Sequence, residues 1–247
     1  MKLVVGGATG FLGTEVIRQA LQSPEITEVV ALARRETRIP MDLEEDEAIQ
    51  SKFKTVVCHD FSNYPQDVKD EVSGADACLW LIGVTPGKLK QHTWEQTRTI
   101  CSEYALNAAD TFAKLPRDGK SEALRFIYVS GCNAERDPSK KPWILGDYCV
   151  MRGQVEKQVL ERAQLSDGRM QVLITKQGSV NDPGMGVVKH AFKMLTHTIV
   201  NVPTIGRPEM TAALLDQAVN GFEKDTLMNA ELVAIGKKAM ENASAEK

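Results

Sequence analysis

The sequence has little of several features that mark other classes of protein. Its longest apolar run, Ala77–Val84, is far too short to cross a bilayer. Basic residues do not cluster with aromatics, and 33 acidic against 30 basic residues give a net charge of −3. This balance argues against nucleic acid or an anionic membrane as the main partner. No signal-peptide segment follows Met1, so we expect the mature chain to begin there.

Cysteine and histidine are sparse. The five cysteines include no Cys-x-x-Cys pair, and an odd number of thiols indicates a reducing, cytoplasmic location. The four histidines lack metal-ligand spacing, so no metal site is predicted. The composition, 43% hydrophobic and 26% charged, is that of an ordinary globular chain. Its length allows one large domain or two small ones.

Short apolar runs alternate with longer segments of helical periodicity, which is typical of an α/β protein with a parallel sheet. Leu12–Gln22 places its apolar residues on one helical face. Long helices are also predicted over Trp94–Lys114 and Tyr148–Ala163. The predicted strands are Leu3–Gly6, Glu28–Ala33, Thr55–Cys58, Ala77–Gly83, Arg125–Ser130 and Gln171–Thr175.

The most informative segment is the turn after the first strand, where glycines stand at positions 7, 10 and 13. Gly7 allows a tight turn, Gly10 lets the main chain approach a pyrophosphate, and Gly13 lets the helix lie close to the strand. The first amides of the helix then face the phosphates. The sequence therefore predicts a dinucleotide-binding Rossmann fold, with cofactor contacts extending to Thr9, Phe11 and Leu12.

The end of the second strand indicates which dinucleotide binds. In this fold an acidic residue there accepts from the ribose 2′-hydroxyl, whereas arginine selects a 2′-phosphate. Arg34 and Arg35 follow the strand and no acid closes it. We therefore predict NADP(H) rather than NAD(H).

Two later strand ends complete the predicted cofactor site. Asp60 and Phe61 follow the third strand, where an aspartate can meet the adenine amino group. Ile82 and Gly83 close the fourth strand, where small residues let the cofactor lie against the sheet.

The chain resembles the atypical and extended short-chain dehydrogenase/reductases, in particular their NmrA-like and Tat-interacting-protein-like branch. The resemblance is carried by residues 6–13, by Arg34 and Arg35, by residues 74–77 and by residues 128–130. It covers about residues 1–180. It implies one NAD(P)-binding domain over residues 1–247, with a small C-terminal substrate cap over about residues 177–207. We expect residues 241–247 to fray.

The resemblance also implies the catalytic residues. The family uses a serine after the fifth strand, which hydrogen-bonds the substrate oxygen, and a Tyr-x-x-x-Lys motif on the next helix. Ser130 and Tyr148 match the first two positions, but Arg152 stands in place of the lysine. Residues four apart share a helical face, so Tyr148 and Arg152 can act together. Arginine keeps the charge but does not exchange protons as lysine does, which weakens the case for a proton relay.

Two further departures from the family pattern bear on function. Lys176–Gly178 stands where relatives often carry Arg-Pro-Gly, and Asn107 lies too late to match the family's asparagine. The long segment between Ser130 and Tyr148 contains Lys140–Trp143, which could cover a substrate or fill a surface groove.

The leading interpretation is an NADPH-dependent reductase of a small carbonyl compound, with Tyr148 as proton donor. Two alternatives remain: an NADP(H)-binding sensor or regulatory protein without turnover, and a non-redox isomerase or cyclase that uses Tyr148 for proton transfer. The expected partner is a small-molecule substrate, and the sequence is compatible with a homodimer without specifying an oligomeric state.

Overall fold

The computed structural model describes residues 1–117, 123–182 and 202–245. Seven parallel strands form the central sheet in the order β3-β2-β1-β4-β5-β6-β9. The predicted doubly wound Rossmann sheet is therefore confirmed. The strands are β1 (Lys2–Gly6), β2 (Glu28–Ala33), β3 (Phe53–Val57), β4 (Ala77–Trp80), β5 (Leu124–Val129), β6 (Met170–Lys176), β7 (Ser179–Asn181), β8 (Thr204–Gly206) and β9 (Thr226–Met228).

Helices cover both faces of the sheet and create two apolar cores. Alternate residues of β1 enter opposite cores: Val4 packs with α5 and α6, whereas Leu3 and Val5 pack with α1 and α7. The helices are α1 (Phe11–Gln22), α2 (Glu47–Lys52), α3 (Gln66–Val72), α4 (Trp94–Arg98), α5 (Tyr104–Lys114), α6 (Gly146–Gln164), α7 (Arg207–Asn220) and α8 (Asn229–Ala245). None of these helices in the described ranges is long and apolar enough to cross a membrane.

The predicted helix over Trp94–Lys114 is continuous but contains a π-helical turn at Thr99–Glu103, between α4 and α5. The turn includes the buried Cys101, whose Sγ accepts from the Val84 amide at 3.2 Å. A second difference from the prediction is that strand β4 ends at Trp80 rather than Gly83. The Leu81 amide still donates to the Gly6 carbonyl oxygen of β1 at 2.9 Å, whereas Val84 bonds to the helix.

The C-terminal part differs from the sequence prediction in detail. Within the predicted cap, β7 and β8 form a separate two-stranded parallel sheet, while residues 183–201 of the cap lie outside the described residues. Helix α8 continues through Ala245, so residues 241–245 are helical where a frayed tail was predicted. Gly236 lets α8 approach α7 closely, since a Cβ there would lie 2.1 Å from the Glu209 carbonyl oxygen.

Candidate functional site

The glycine turn joins β1 to α1 at the point where the strand order reverses, between β1 and β4. Ligands of open α/β sheets bind at such a switch point, beyond the carboxyl ends of the strands. The N-cap of α1 is Gly10, which has no side chain to cap the first-turn amides of Phe11, Leu12 and Gly13. These N–H groups are therefore available to an anion, and the helix dipole favours one.

Each glycine of the turn has a measurable reason to lack a side chain. Gly7 has a φ of +91°, which L-residues rarely adopt. A Cβ on Gly13 would lie 2.4 Å from the carbonyl oxygen of Gly7, so the helix could not pack so close to the turn. Gly10 is exposed and donates its amide to the same oxygen at 2.9 Å. Thr9 and Leu12 are half-buried beside this turn.

Arg34 and Arg35 lie directly after β2 and are both exposed, and neither has an ion-pair partner in the described part of the chain. Asp60 lies on the same edge. Hydrogen bonds from the Ser62 amide and hydroxyl and from the Tyr104 hydroxyl hold the Asp60 pKa below its ordinary value, so this carboxylate is charged. The residues predicted to meet the adenosine end of a cofactor therefore share one edge of the sheet.

The side chain of Phe61 points into the core. Its ring is only 2% exposed and packs in an aromatic cluster with Tyr64, Trp80 and Tyr104, at centroid distances of 6.1, 5.6 and 5.6 Å. Its carbonyl oxygen accepts from Asn107 Nδ2 at 2.7 Å. Phe61 is therefore a core residue that holds the loop after β3, and its side chain does not face a cofactor.

Ile82 and Gly83 connect the cofactor turn to the predicted catalytic residues. Ile82 packs against the turn, because a Cβ on Gly7 would lie 3.2 Å from its Cγ1. Gly83 faces the other way, since a Cβ there would lie 3.3 Å from Arg152 Nη1. The segment that follows β4 thus lies between the phosphate end and the catalytic end of the candidate site.

A cavity of about 530 Å³ opens beyond the carboxyl ends of β5 and β6. Ser130, Tyr148 and Arg152 all line it, as does Gln177, so the three residues predicted from the family motif meet in one place. Its other walls are mainly apolar and include Pro86, Ile144, Leu145, Cys149 and Val202. A cavity of this size accommodates a small organic substrate.

Tyr148 enters the cavity from the first turn of α6. Its hydroxyl donates to the Val84 carbonyl oxygen at 2.8 Å. Burial raises the Tyr148 pKa to about 12, although the nearby Arg152 charge opposes the shift. The phenol is therefore fully protonated at neutral pH and has a proton to donate.

Arg152 lies one turn further along α6 and is only 6% exposed. Its Nη2 donates to the Val129 carbonyl oxygen at 2.8 Å, and the guanidinium stacks over the Tyr128 ring at 4.9 Å. Its Nη1 is buried beside Gly83 and has no hydrogen-bond partner among the residues that the structure describes. A buried donor without a partner is costly, so this atom marks a place for an acceptor from a ligand.

Ser130 is held differently from the family expectation. Its hydroxyl donates to Glu156 Oε1 at 2.5 Å. Glu156 is completely buried, and its Oε2 accepts from Arg136 Nε at 2.7 Å and from Lys176 Nζ at 3.4 Å. The contacts of Glu156 come from three separate segments, so no local sequence pattern reveals them.

Trp143, in the segment before α6, neither covers the cavity nor fills a surface groove. Trp143 is 96% exposed, whereas the two residues that follow it line the cavity. Leu145 adopts a left-handed conformation with φ of 54°, which turns the chain into α6. Among the described residues, no group of three or more His, Cys, Asp or Glu is arranged to hold a metal ion.

Comparison with known proteins agrees with this geometry. The family model described as NAD(P)H-binding matches residues 7–167. Protein FMP52, mitochondrial, from Candida albicans is 24% identical over 161 residues, covering 65% of this chain and 61% of that protein. This chain therefore aligns with less than two thirds of the length of that curated relative.

Solved structures share the fold. DesIV, a dTDP-glucose 4,6-dehydratase from Streptomyces venezuelae with NAD and TYD bound, has a TM-score of 0.67 at 14% identity, covering 98% of this chain and 81% of that chain. Vestitone reductase from alfalfa has a TM-score of 0.63 at 16% identity, covering 92% and 76% respectively. The family match spans well over half of the chain, and the protein belongs to the NAD(P)H-binding family.

Proposed function

We propose that the protein is an NADPH-dependent reductase of a small carbonyl compound, with Tyr148 as the proton donor. The observation that carries this proposal is the shared cavity of Ser130, Tyr148 and Arg152, which adjoins the end of β4 and so the cofactor turn. Carbonyl reduction needs a hydride at carbon and a proton at oxygen. The cavity contains the protonated phenol of Tyr148, which can supply the proton.

The residues present fit a nicotinamide dinucleotide. The uncapped amides after Gly10 would hold the pyrophosphate, and the open edge at Arg34 and Arg35 would hold the adenosine end. The unpartnered Nη1 of Arg152 would donate to a hydroxyl at the nicotinamide end. The reduced cofactor supplies the hydride when bound.

Within this proposal Tyr148 acts as a general acid. A substrate carbonyl that enters the cavity replaces the Val84 oxygen as the acceptor of the phenolic hydrogen bond. The Arg152 charge nearby stabilises the phenolate left after proton transfer. Arginine cannot give up a proton here, so Tyr148 must regain its own proton from solvent.

The direct test is to follow the loss of nicotinamide absorbance with NADPH and a panel of aldehydes, ketones and quinones. Oxidation of NADPH by at least one compound is the expected result. Tight NADPH binding without oxidation across the panel would favour a sensor or regulatory protein. Conversion of a compound without net change in NADPH would favour an isomerase or cyclase.

NADPH should bind more tightly than NADH because two arginines are available to the 2′-phosphate. Replacing both Arg34 and Arg35 by alanine should weaken NADPH binding by about 10- to 100-fold and leave NADH binding unchanged. Calorimetric titration of both nucleotides measures this. The exposed Arg38 provides a control for the loss of one arginine charge near this edge. Arg38→Ala should change neither affinity. Equal losses for the two nucleotides in the double variant would contradict the proposed 2′-phosphate site.

The raised Tyr148 pKa predicts opposite pH dependence for the two reaction directions. Reduction needs the protonated phenol, which persists up to a pKa of about 12, so its kcat should be flat between about pH 6 and 9 as far as Tyr148 is concerned. Oxidation of the product alcohol needs the phenolate, whose fraction rises about tenfold per pH unit in this range. Steady-state rates in both directions measure this. A fall in reduction with an apparent pKa near 7 would contradict the assignment.

A further inference from the structure

The hydroxyl of Ser130 has one proton, and the structure shows where it points. Among the described residues, the partner of this hydroxyl is Glu156 Oε1, at 2.5 Å. A carboxylate can only accept, so Ser130 must be the donor. The hydroxyl therefore presents lone pairs to the cavity that Ser130 lines, and not a proton.

This orientation is enforced by the surroundings of Glu156. Arg136 Nε and Lys176 Nζ both reach Oε2, and Lys176 is fixed further by donating to the Ala134 carbonyl oxygen at 2.6 Å. Both cations form ion pairs with the completely buried Glu156, and breaking one of these contacts would leave a buried charge unpaired. Rotation of the Ser130 proton into the cavity is therefore unfavourable.

We infer that Glu156 is a positioning residue that makes Ser130 a hydrogen-bond acceptor, and that the substrate carries a hydroxyl group next to its carbonyl. The inference rests on the proposed reductase function and specifies its substrate class. The substrate carbonyl accepts from Tyr148, while the adjacent hydroxyl donates to Ser130. The smallest unit that offers both groups side by side is an α-hydroxy carbonyl.

The cavity walls suit the remainder of such a substrate. Ile144, Leu145 and Val202 provide apolar surface around the polar floor. An α-hydroxy ketone with an apolar substituent can therefore bury that substituent against the walls. The cavity volume of about 530 Å³ is ample for an aromatic ring.

A single isosteric substitution should reverse the role of Ser130. In Glu156→Gln the amide oxygen must face Arg136 and Lys176, because the amide NH₂ cannot accept from them. The NH₂ then donates to Ser130 Oγ, and the serine proton becomes free to point into the cavity. Glu156→Gln should thus favour a substrate that offers only an acceptor, while leaving the shape of the site unchanged.

The experiment compares acetophenone with 2-hydroxyacetophenone. The readout is the ratio of their kcat/KM values in wild type, Glu156→Gln, Ser130→Ala and the double variant. Inherent reactivity differences between the two ketones cancel when the ratio is compared across proteins. We expect the preference for the hydroxylated ketone to fall about tenfold or more in Glu156→Gln and in Ser130→Ala, with no further change in the double variant. A merely structural role for Glu156 would lower both values together.

An unchanged ratio in Glu156→Gln, or equal losses for both ketones, would overturn the inference. The proposed function can fail separately. If NADPH binds but no compound of the full panel is oxidised or reduced, the reductase proposal fails. Calorimetric titration of the same two ketones into the NADP⁺ complex then still measures the preference as a ratio of dissociation constants. Binding of neither ketone would also overturn the inference.

Discussion

Replacing Tyr148 by phenylalanine is expected to lower kcat for carbonyl reduction by about 10²- to 10⁴-fold, the contribution typical of a positioned general acid. The substitution removes only the hydroxyl that donates to the Val84 carbonyl oxygen, so the cavity keeps its shape. NADPH affinity should be unchanged, because the phenol lies away from the glycine turn. Initial rates under saturating NADPH, with a calorimetric titration of the nucleotide, measure both quantities.

A matched control is available in the core. Tyr64 is 2% exposed, packs against Phe61 and Phe112, and has a buried hydroxyl without a partner. Tyr64→Phe should therefore leave kcat at the wild-type value. Retention of wild-type kcat by Tyr148→Phe would refute the role of Tyr148 as acid, and would leave the proton to another group or to water.

The second large effect is expected on stability, at Gly153 in the middle of α6. A Cβ at this position would lie 1.9 Å from the carbonyl oxygen of Glu135 and 2.6 Å from the amide nitrogen of Arg136. Main-chain atoms cannot rotate away as a side chain can. Gly153→Ala should therefore lower the free energy of unfolding by about 3 kcal/mol or more, measured by denaturant titration.

The sign of this effect makes it diagnostic. In a helix interior alanine is normally more stable than glycine by about 0.5–1 kcal/mol. Lys157→Ala, at an exposed position of the same helix, should change the stability by no more than about 0.5 kcal/mol. A Gly153→Ala protein as stable as wild type would mean that the segment at Glu135 does not pack on α6 in solution. The same displacement should also separate Arg136 from Glu156.

The central sheet could be predicted from the sequence because its signals are local. Each apolar run that becomes a strand stands next to an amphipathic segment, and the glycine spacing marks the turn between β1 and α1. The short strand β9 escaped prediction. Its three residues, Thr226–Met228, carry no periodic pattern of their own, and they become a strand because β6 lies beside them.

The candidate site was predictable only where the motif itself brings residues together. Tyr148 and Arg152 are four residues apart on one helix, so helical periodicity alone makes them neighbours. The core position of the Phe61 ring was not predictable, because a strand-end position does not reveal which way a side chain points, and here the ring packs in the aromatic cluster. The pairing of Ser130 with Glu156 spans 26 residues and depends on tertiary packing, which no local pattern encodes.

Arg207, at the start of α7, contacts residues that are far from it in sequence. Its guanidinium stacks on the Phe11 ring at 4.7 Å, and its Nη2 and Nη1 donate to Thr14 Oγ1 and Asp182 Oδ2 at 2.6 and 3.2 Å. Arg207 directly follows β8, which pairs with β7, and the first residue of β7 lines the cavity.

Arg207 thus connects the glycine turn, where the proposed cofactor phosphates would bind, to the strand pair whose first residue lines the cavity. If nucleotide binding at the turn stabilises the contacts of Arg207, the same coupling free energy must also favour substrate binding in the cavity, because linkage between two sites is symmetric. A nucleotide already in place would then strengthen capture of the second reactant by the same factor that the reactant strengthens retention of the nucleotide.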